Sequence, residues 1–159
     1  MRDYKYILFD LDGTLTDPKE GITKSVAYAL KHFGIDVEDL DTLCKFIGPP
    51  LKDSFMQYYD AHLAVEKYRE YFEPCGMFQN KVYDGVENLL KELKTSGKEI
   101  VLATSKPGVY AQKILEHFHL DSYFSYVAGS EKRRCDRICI REDEYKRIFT
   151  GCHDRRSGA

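Results

Sequence analysis

Apolar and polar positions along the first 130 residues follow two rhythms. Short, nearly continuous apolar runs, "YKYILF", "KEIVLAT" and "YFSYVAG", have the length and the β-branched or aromatic content of strands. Between them apolar residues return every three or four positions, the spacing of one helix face. "GVENLLKELKTSG" places Val86, Leu89, Leu90 and Leu93 on such a face and stops at Gly97. "PGVYAQKILEHFHL" opens with Pro107 at a helix start and offers Val109, Ile114, Leu115 and Phe118 for burial. Strand and helix in repetition predict an α/β fold with a Rossmann-like parallel sheet.

The first strand and the helix at Val86 are separated by roughly 65 residues, far more than a strand-to-helix loop requires. The intervening sequence is also helical in pattern. "KEGITKSVAYALKHFG" spaces Ile22, Val26, Leu30 and Phe33 on one face and ends at Gly34. "LDTLCKF" predicts a shorter helix closed by "IGPP". "LKDSFMQYYDAHLAVEKYREYF" carries Phe55, Met56, Tyr59, Leu63, Tyr68 and Phe72, an aromatic face suited to a small helical core. The expected organisation is an α/β core from residues 1–16 and 81–130, an inserted α-helical cap at 17–80, and a tail at 131–159. A cap placed after the first strand can close over that strand's carboxyl end and keep water out.

Composition narrows the class. With 43% hydrophobic and 31% charged residues the chain is an ordinary globule, and its net charge of -2 gives no reason to expect nucleic acid or an anionic membrane as a partner. No apolar run reaches the roughly 18 residues of a membrane span, and an acid interrupts the N-terminus too early for a signal peptide, so a cytoplasmic monomer or dimer is expected. Five cysteines without a secretion signal read as reduced thiols.

Ligands of a parallel sheet gather outside the carboxyl ends of its strands. Here those ends carry "DLDGT", "TSKP" and "GSEK": carboxylates that suit Mg²⁺, and hydroxyls and lysines that suit phosphate oxygens. Asp10 and Asp12, followed by Gly13, can be aimed into one site by a turn leaving the strand. Two like charges brought together are costly unless a cation neutralises them. In that reading Asp10 attacks phosphorus to form an aspartyl-phosphate, and Asp12 protonates the leaving alcohol and then activates water. Lys106 is expected at the surface.

These residues carry a resemblance. "FDLDGTLTD" resembles the first signature motif of the haloacid dehalogenase superfamily and "LATSKP" the second; the two flank a helical insertion, as in members with a helical cap. "DPKEGITKSVAYAL", "FIGPPLKDSF", "VYDGV" and "YFSYVAGSE" are similar to the phosphoglycolate phosphatase-like and 5'-nucleotidase-like branch. The resemblance implies Asp10 as nucleophile and Mg²⁺ ligand. It implies Asp12 as general acid and base with its backbone carbonyl on the metal, Thr104 and Ser105 as phosphate binders, and Lys52 of the cap as a substrate contact. The substrate implied is a small phosphorylated metabolite.

The last 29 residues depart from that pattern. Seven of the nine arginines and three of the five cysteines fall there, and the balance of charge turns from -5 in residues 1–130 to +3 in residues 131–159. Neither a GD pair nor a fourth apolar run follows Ser130, so the core reads as incomplete at its C-terminus; Lys132 is the candidate for the family's third-motif lysine, and Asp154 falls near the fourth. Cys135, Cys139, Cys152 and His153 lack the usual C-x2-C zinc spacing. A shifted reading frame accounts for the change in composition: permissible codons for residues 131–157, read one base forward, give "KKEDVIGYALEKMNIKEYLPDAMIGDR", with a lysine, an amphipathic helix and a GD pair. Two functions follow, a Mg²⁺-dependent phosphomonoesterase or a degenerate relative that binds phosphorylated ligands or a partner without turnover.

Overall fold

The computed structural model describes residues 4–56 and 60–130. Its centre is a parallel sheet in the order β1-β4-β5, with β1 at Tyr6–Phe9, β4 at Glu99–Ala103 and β5 at Tyr126–Ala128. β1 and β4 run in register from Tyr6 beside Glu99 to Phe9 beside Leu102. β4 lies between two neighbours, and its Ile100, Val101 and Leu102 are buried, as a doubly covered parallel strand requires. β1 alternates instead: Tyr6 and Leu8 face outward while Ile7 and Phe9 are half-buried. The predicted α/β class and all three predicted strands are present.

Two helices flank the sheet in the predicted places. α4, Val86–Thr95, buries Val86 and Leu90 but leaves Leu89 43% exposed, so the expected four-residue face is narrower than its spacing suggested. α5, Gly108–His117, buries Ala111, Ile114 and Leu115. Val109 is 57% exposed, because it lies in the first turn beside the strand ends rather than over the sheet.

Between β1 and β4 the chain makes the helical insertion. α1, Lys19–His32, buries Ile22, Val26 and Leu30 and packs on α3, Ala61–Phe72. "LDTLCKF" forms a 3-10 helix, Leu40–Phe46, that also packs on α1. The long aromatic stretch is interrupted. α2, Leu51–Phe55, is short, and α3 begins after Asp60, whose carboxylate accepts hydrogen bonds from the N–H groups of His62 (2.9 Å) and Leu63 (3.3 Å). That side chain satisfies N–H groups a continuous helix would have bonded along its own axis. Phe55, Tyr68 and Phe72 are buried as expected, whereas Met56 is 68% exposed; Tyr59 lies outside the described residues.

The insertion begins and ends at a two-stranded antiparallel ribbon that the sequence pattern did not show. β2, Thr16–Asp17, pairs with β3, Lys81–Val82. Close to it α1 meets the 3-10 turn Gly76–Phe78 almost backbone to backbone, the Gly21 N–H donating to the Gln79 carbonyl at 2.9 Å.

Candidate active site

The segment after β1 is shaped by its leucines. Leu11 and Leu15 are 0% and 1% exposed, and they pin both ends of a tight turn into the core. The Leu11 carbonyl accepts from the N–H groups of Thr14 (3.3 Å), Leu15 (2.9 Å) and Thr16 (3.0 Å), while the Gly13 N–H donates to the Thr16 carbonyl at 2.8 Å. Gly13 takes φ +79°, a left-handed conformation that a Cβ would strain. With the leucines inward, Asp10 and Asp12, on either side of Leu11, are left at the carboxyl end of β1. Asp10 is exposed there, its Oδ1 accepting from the Leu11 N–H at 2.7 Å; Asp12 is largely enclosed.

Lys106 supplies the counter-charge. Its Nζ lies 3.0 Å from Asp12 Oδ2, and only 7% of its side chain is exposed. The expectation that Lys106 lies at the surface is therefore corrected: it follows a buried strand, and a carboxylate and an aromatic ring take the place of water around its ammonium. That ring is Phe72 of α3, with its centroid 4.9 Å from Nζ. Asp12 Oδ1, in contrast, is buried with no hydrogen-bond partner among the described residues. Burial lifts the Asp12 carboxyl above its ordinary range. The charge and hydrogen bond of Lys106 pull it part of the way back, and the neighbouring Asp10 pushes it up again. Tyr68 of α3 is near enough for Asp12's charge to add to the upward shift that burial imposes on its phenol.

This arrangement makes a prediction about pH. The native chain holds the Asp12 proton more tightly than the unfolded chain, so in the presence of chelator stability declines as pH rises from the ordinary value of 3.8 through the raised one. Asp12→Asn has no such proton to lose and is expected to lack that part of the decline. Urea melts of both chains between about pH 3.5 and 7 provide the check, and parallel curves would assign the decline to other groups.

The remaining sequence candidates divide. Thr104 follows β4 directly, so it emerges beside the segment leaving β1; its N–H donates to the Ala128 carbonyl at 2.9 Å and its Oγ1 accepts from the Lys106 N–H at 3.3 Å. Ser105 is exposed, and its carbonyl accepts from Ser130 Oγ. Lys52 is exposed on α2, Leu51–Phe55. Lys132, Cys135, Cys139, Cys152, His153, Asp154 and the whole frameshift reading lie outside the described residues. Among the described residues no group of three or more His, Cys, Asp or Glu side chains is disposed to hold a metal, and no helix is long and apolar enough to cross a membrane. An anionic oxygen enclosed without a partner, next to a second carboxylate, still suits a divalent cation or a proton supplied from outside the chain. The residues present thus fit a metal site in part, through Asp10 and the segment around Asp12.

The sheet, the acidic segment leaving β1 and the hydroxyl and lysine leaving β4 define a class. The chain belongs to the haloacid dehalogenase-like hydrolase family, whose model matches residues 7–135. It is 51% identical over 140 residues to a 5'-nucleotidase of Pseudomonas aeruginosa, covering 82% of this chain and 63% of that protein. It is 30% identical over 135 residues to a phosphoglycolate phosphatase of Aquifex aeolicus, covering 80% of this chain and 61% of that one. A crystal structure of a predicted phosphatase from Clostridium acetobutylicum superposes with a TM-score of 0.76 at 59% identity, over 80% of this chain and 62% of the other. The chain thus spans less than two thirds of the length of each of these relatives.

Proposed function

We propose that the chain is a Mg²⁺-dependent phosphatase acting on a small phosphate monoester, of the phosphoglycolate or nucleoside monophosphate kind, through an aspartyl-phosphate on Asp10. The observation that carries this reading is the unpartnered Asp12 Oδ1, buried beside Asp10 at the carboxyl edge of the sheet. Membership of the family and the names of the two relatives support it.

Each residue has a distinct task. Asp10, exposed and held by one hydrogen bond from the Leu11 N–H, presents its free oxygen to the phosphorus. Asp12 gives a proton to the departing alcohol through Oδ1 and later takes one from water; its raised proton affinity suits a group that must be protonated in one step and ionised in the next. The Thr104 hydroxyl, with Ser105 beside it, holds a phosphoryl oxygen. Lys132 and Lys52 are assigned to phosphate and substrate binding. Mg²⁺, held by the Asp10 carboxylate and the Asp12 carbonyl, would supply positive charge against the phosphoryl oxygens. The helical insertion serves as the cap, opening for substrate and excluding water when closed.

Phosphate release from p-nitrophenyl phosphate, a nucleoside monophosphate and phosphoglycolate tests the proposal. Turnover is expected with Mg²⁺, is abolished by chelator, and returns when Mg²⁺ is restored. Phosphate release that ignores chelator would remove the metal from the proposal, and the absence of turnover on every ester would favour the ligand-binding alternative.

A further inference from the structure

We propose that Lys106 is a positioning residue that couples the seating of the helical insertion on the sheet to the orientation of the Asp12 carboxylate, an inference that rests on the acid and base role given to Asp12 above. The ammonium has two neighbours from different parts of the fold. Asp12 Oδ2, 3.0 Å away, belongs to the segment leaving β1; the Phe72 ring, 4.9 Å away, belongs to the last turn of α3.

The ring is itself held at the junction. Phe72 stacks on Tyr68 at 5.1 Å within α3 and meets Tyr110 of α5 edge to face at 5.5 Å. Tyr110 Oη donates to Glu73 at 2.5 Å, and burial together with that carboxylate pushes the phenol up to about 12. Lys106, two residues before α5, and Tyr110, in the first turn of α5, therefore face Phe72 and Glu73, which are adjacent at the end of α3.

The chemistry of an ammonium makes this junction directional. Lysine's charge is compact and strongly hydrated, so it stays out of water only while a carboxylate and a ring face compensate it together. Were α3 to lift from α5, Phe72 would depart with it and water would reach Nζ. The desolvated ion pair would become a solvated one, which holds a side chain in place weakly. The seated insertion thus fixes Asp12 through Oδ2 and leaves Oδ1 for proton transfer. With the insertion raised, the carboxylate loses its fixed orientation, and proton transfer becomes confined to the closed form.

The test compares the wild type with Lys106→Met, Lys106→Arg, Phe72→Leu and the Lys106→Met/Phe72→Leu double variant, by steady-state kinetics on p-nitrophenyl phosphate with Mg²⁺ and by amide hydrogen exchange across α3 and α5. Methionine fills the lysine's slot without its charge. It is expected to lower kcat by about 30-fold or more with KM within about threefold, because the lost contact orients a catalytic group rather than binding the ester. Arginine is expected to recover about tenfold of that loss. Phe72→Leu lowers kcat by about fivefold, and the double variant is within about twofold of Lys106→Met, since Phe72 acts through Lys106. Both Lys106→Met and Phe72→Leu speed exchange at the α3–α5 junction, while Lys106→Arg exchanges at the wild-type rate.

A kcat in Lys106→Met close to that of the wild type, or effects of the two single variants that multiply in the double, overturns the proposal. If Lys106→Met does not fold, Phe72→Leu and Lys106→Arg decide the matter by the same kcat and exchange criteria. If the wild type turns over no ester, the phosphatase reading fails by itself, and exchange alone then decides the coupling: unchanged exchange in Phe72→Leu and Lys106→Met overturns it.

Discussion

Asp10→Asn is expected to lower kcat for phosphate release by about 1,000-fold or more while leaving the melting temperature close to that of the wild type. The two halves of this expectation have separate origins. Asp10 is exposed, and its Oδ1 accepts the Leu11 N–H at 2.7 Å. An asparagine carbonyl oxygen accepts the same bond, so the turn that follows keeps its shape. The amide is a far weaker nucleophile than the carboxylate and carries no charge to hold a divalent cation. Phosphate release and a thermal melt on the same preparation check both halves; equal rates in the two chains would remove Asp10 from the chemistry and with it the covalent route.

Gly21→Ala is expected to be the most damaging single methyl group in the described chain. A Cβ at this position would lie 1.8 Å from the Gly76 carbonyl oxygen and 2.8 Å from that of Gln79. Both obstacles are backbone, so no rotamer change relieves them, and α1 must withdraw from the turn at Gly76–Phe78. Overpacking of a core commonly costs about 1–3 kcal/mol, and a backbone clash belongs at or above the upper end. A loss of about 3 kcal/mol corresponds to a fall of roughly 10 °C in melting temperature for a domain of this size. Gly34 is the internal comparison: its φ is +77° but an added Cβ meets nothing within 4 Å. Gly34→Ala is therefore limited to backbone strain, about 1 kcal/mol. Thermal melts of the two variants separate the mechanisms, and comparable losses would show that the Gly21 contact relaxes at little cost.

Much of this architecture was legible along the chain because it follows from local periodicity. The apolar runs ending at Phe9, Ala103 and Ala128 are strands, and the three- and four-residue spacings of Ile22, Val26 and Leu30 or of Ile114 and Leu115 are helix faces. The acidic pair was legible for a related reason, since charge at the end of an apolar strand needs an explanation that burial cannot give. What escaped depends on contacts between distant residues. Lys106 reads as one more surface cation until Asp12 and Phe72, from two other segments, close around it. Its position just beyond a strand with a buried apolar centre, in "TSKP", was the available signal. The ribbon of Thr16–Asp17 with Lys81–Val82 is too short to display a period, and the exposure of Leu89 and Val109 depends on which neighbours arrive rather than on spacing.

That ribbon has a consequence for how such a chain can diversify. Thr16 stands opposite Val82 and Asp17 opposite Lys81, so everything from α1 to the end of the insertion departs from and returns to a single doorway. An excursion whose two ends already touch can be lengthened, shortened or exchanged for another without rerouting the strands behind it. New specificities can be grafted at this point while the carboxylates and hydroxyl on the inner side of the doorway, with the chemistry proposed for them, are left in place.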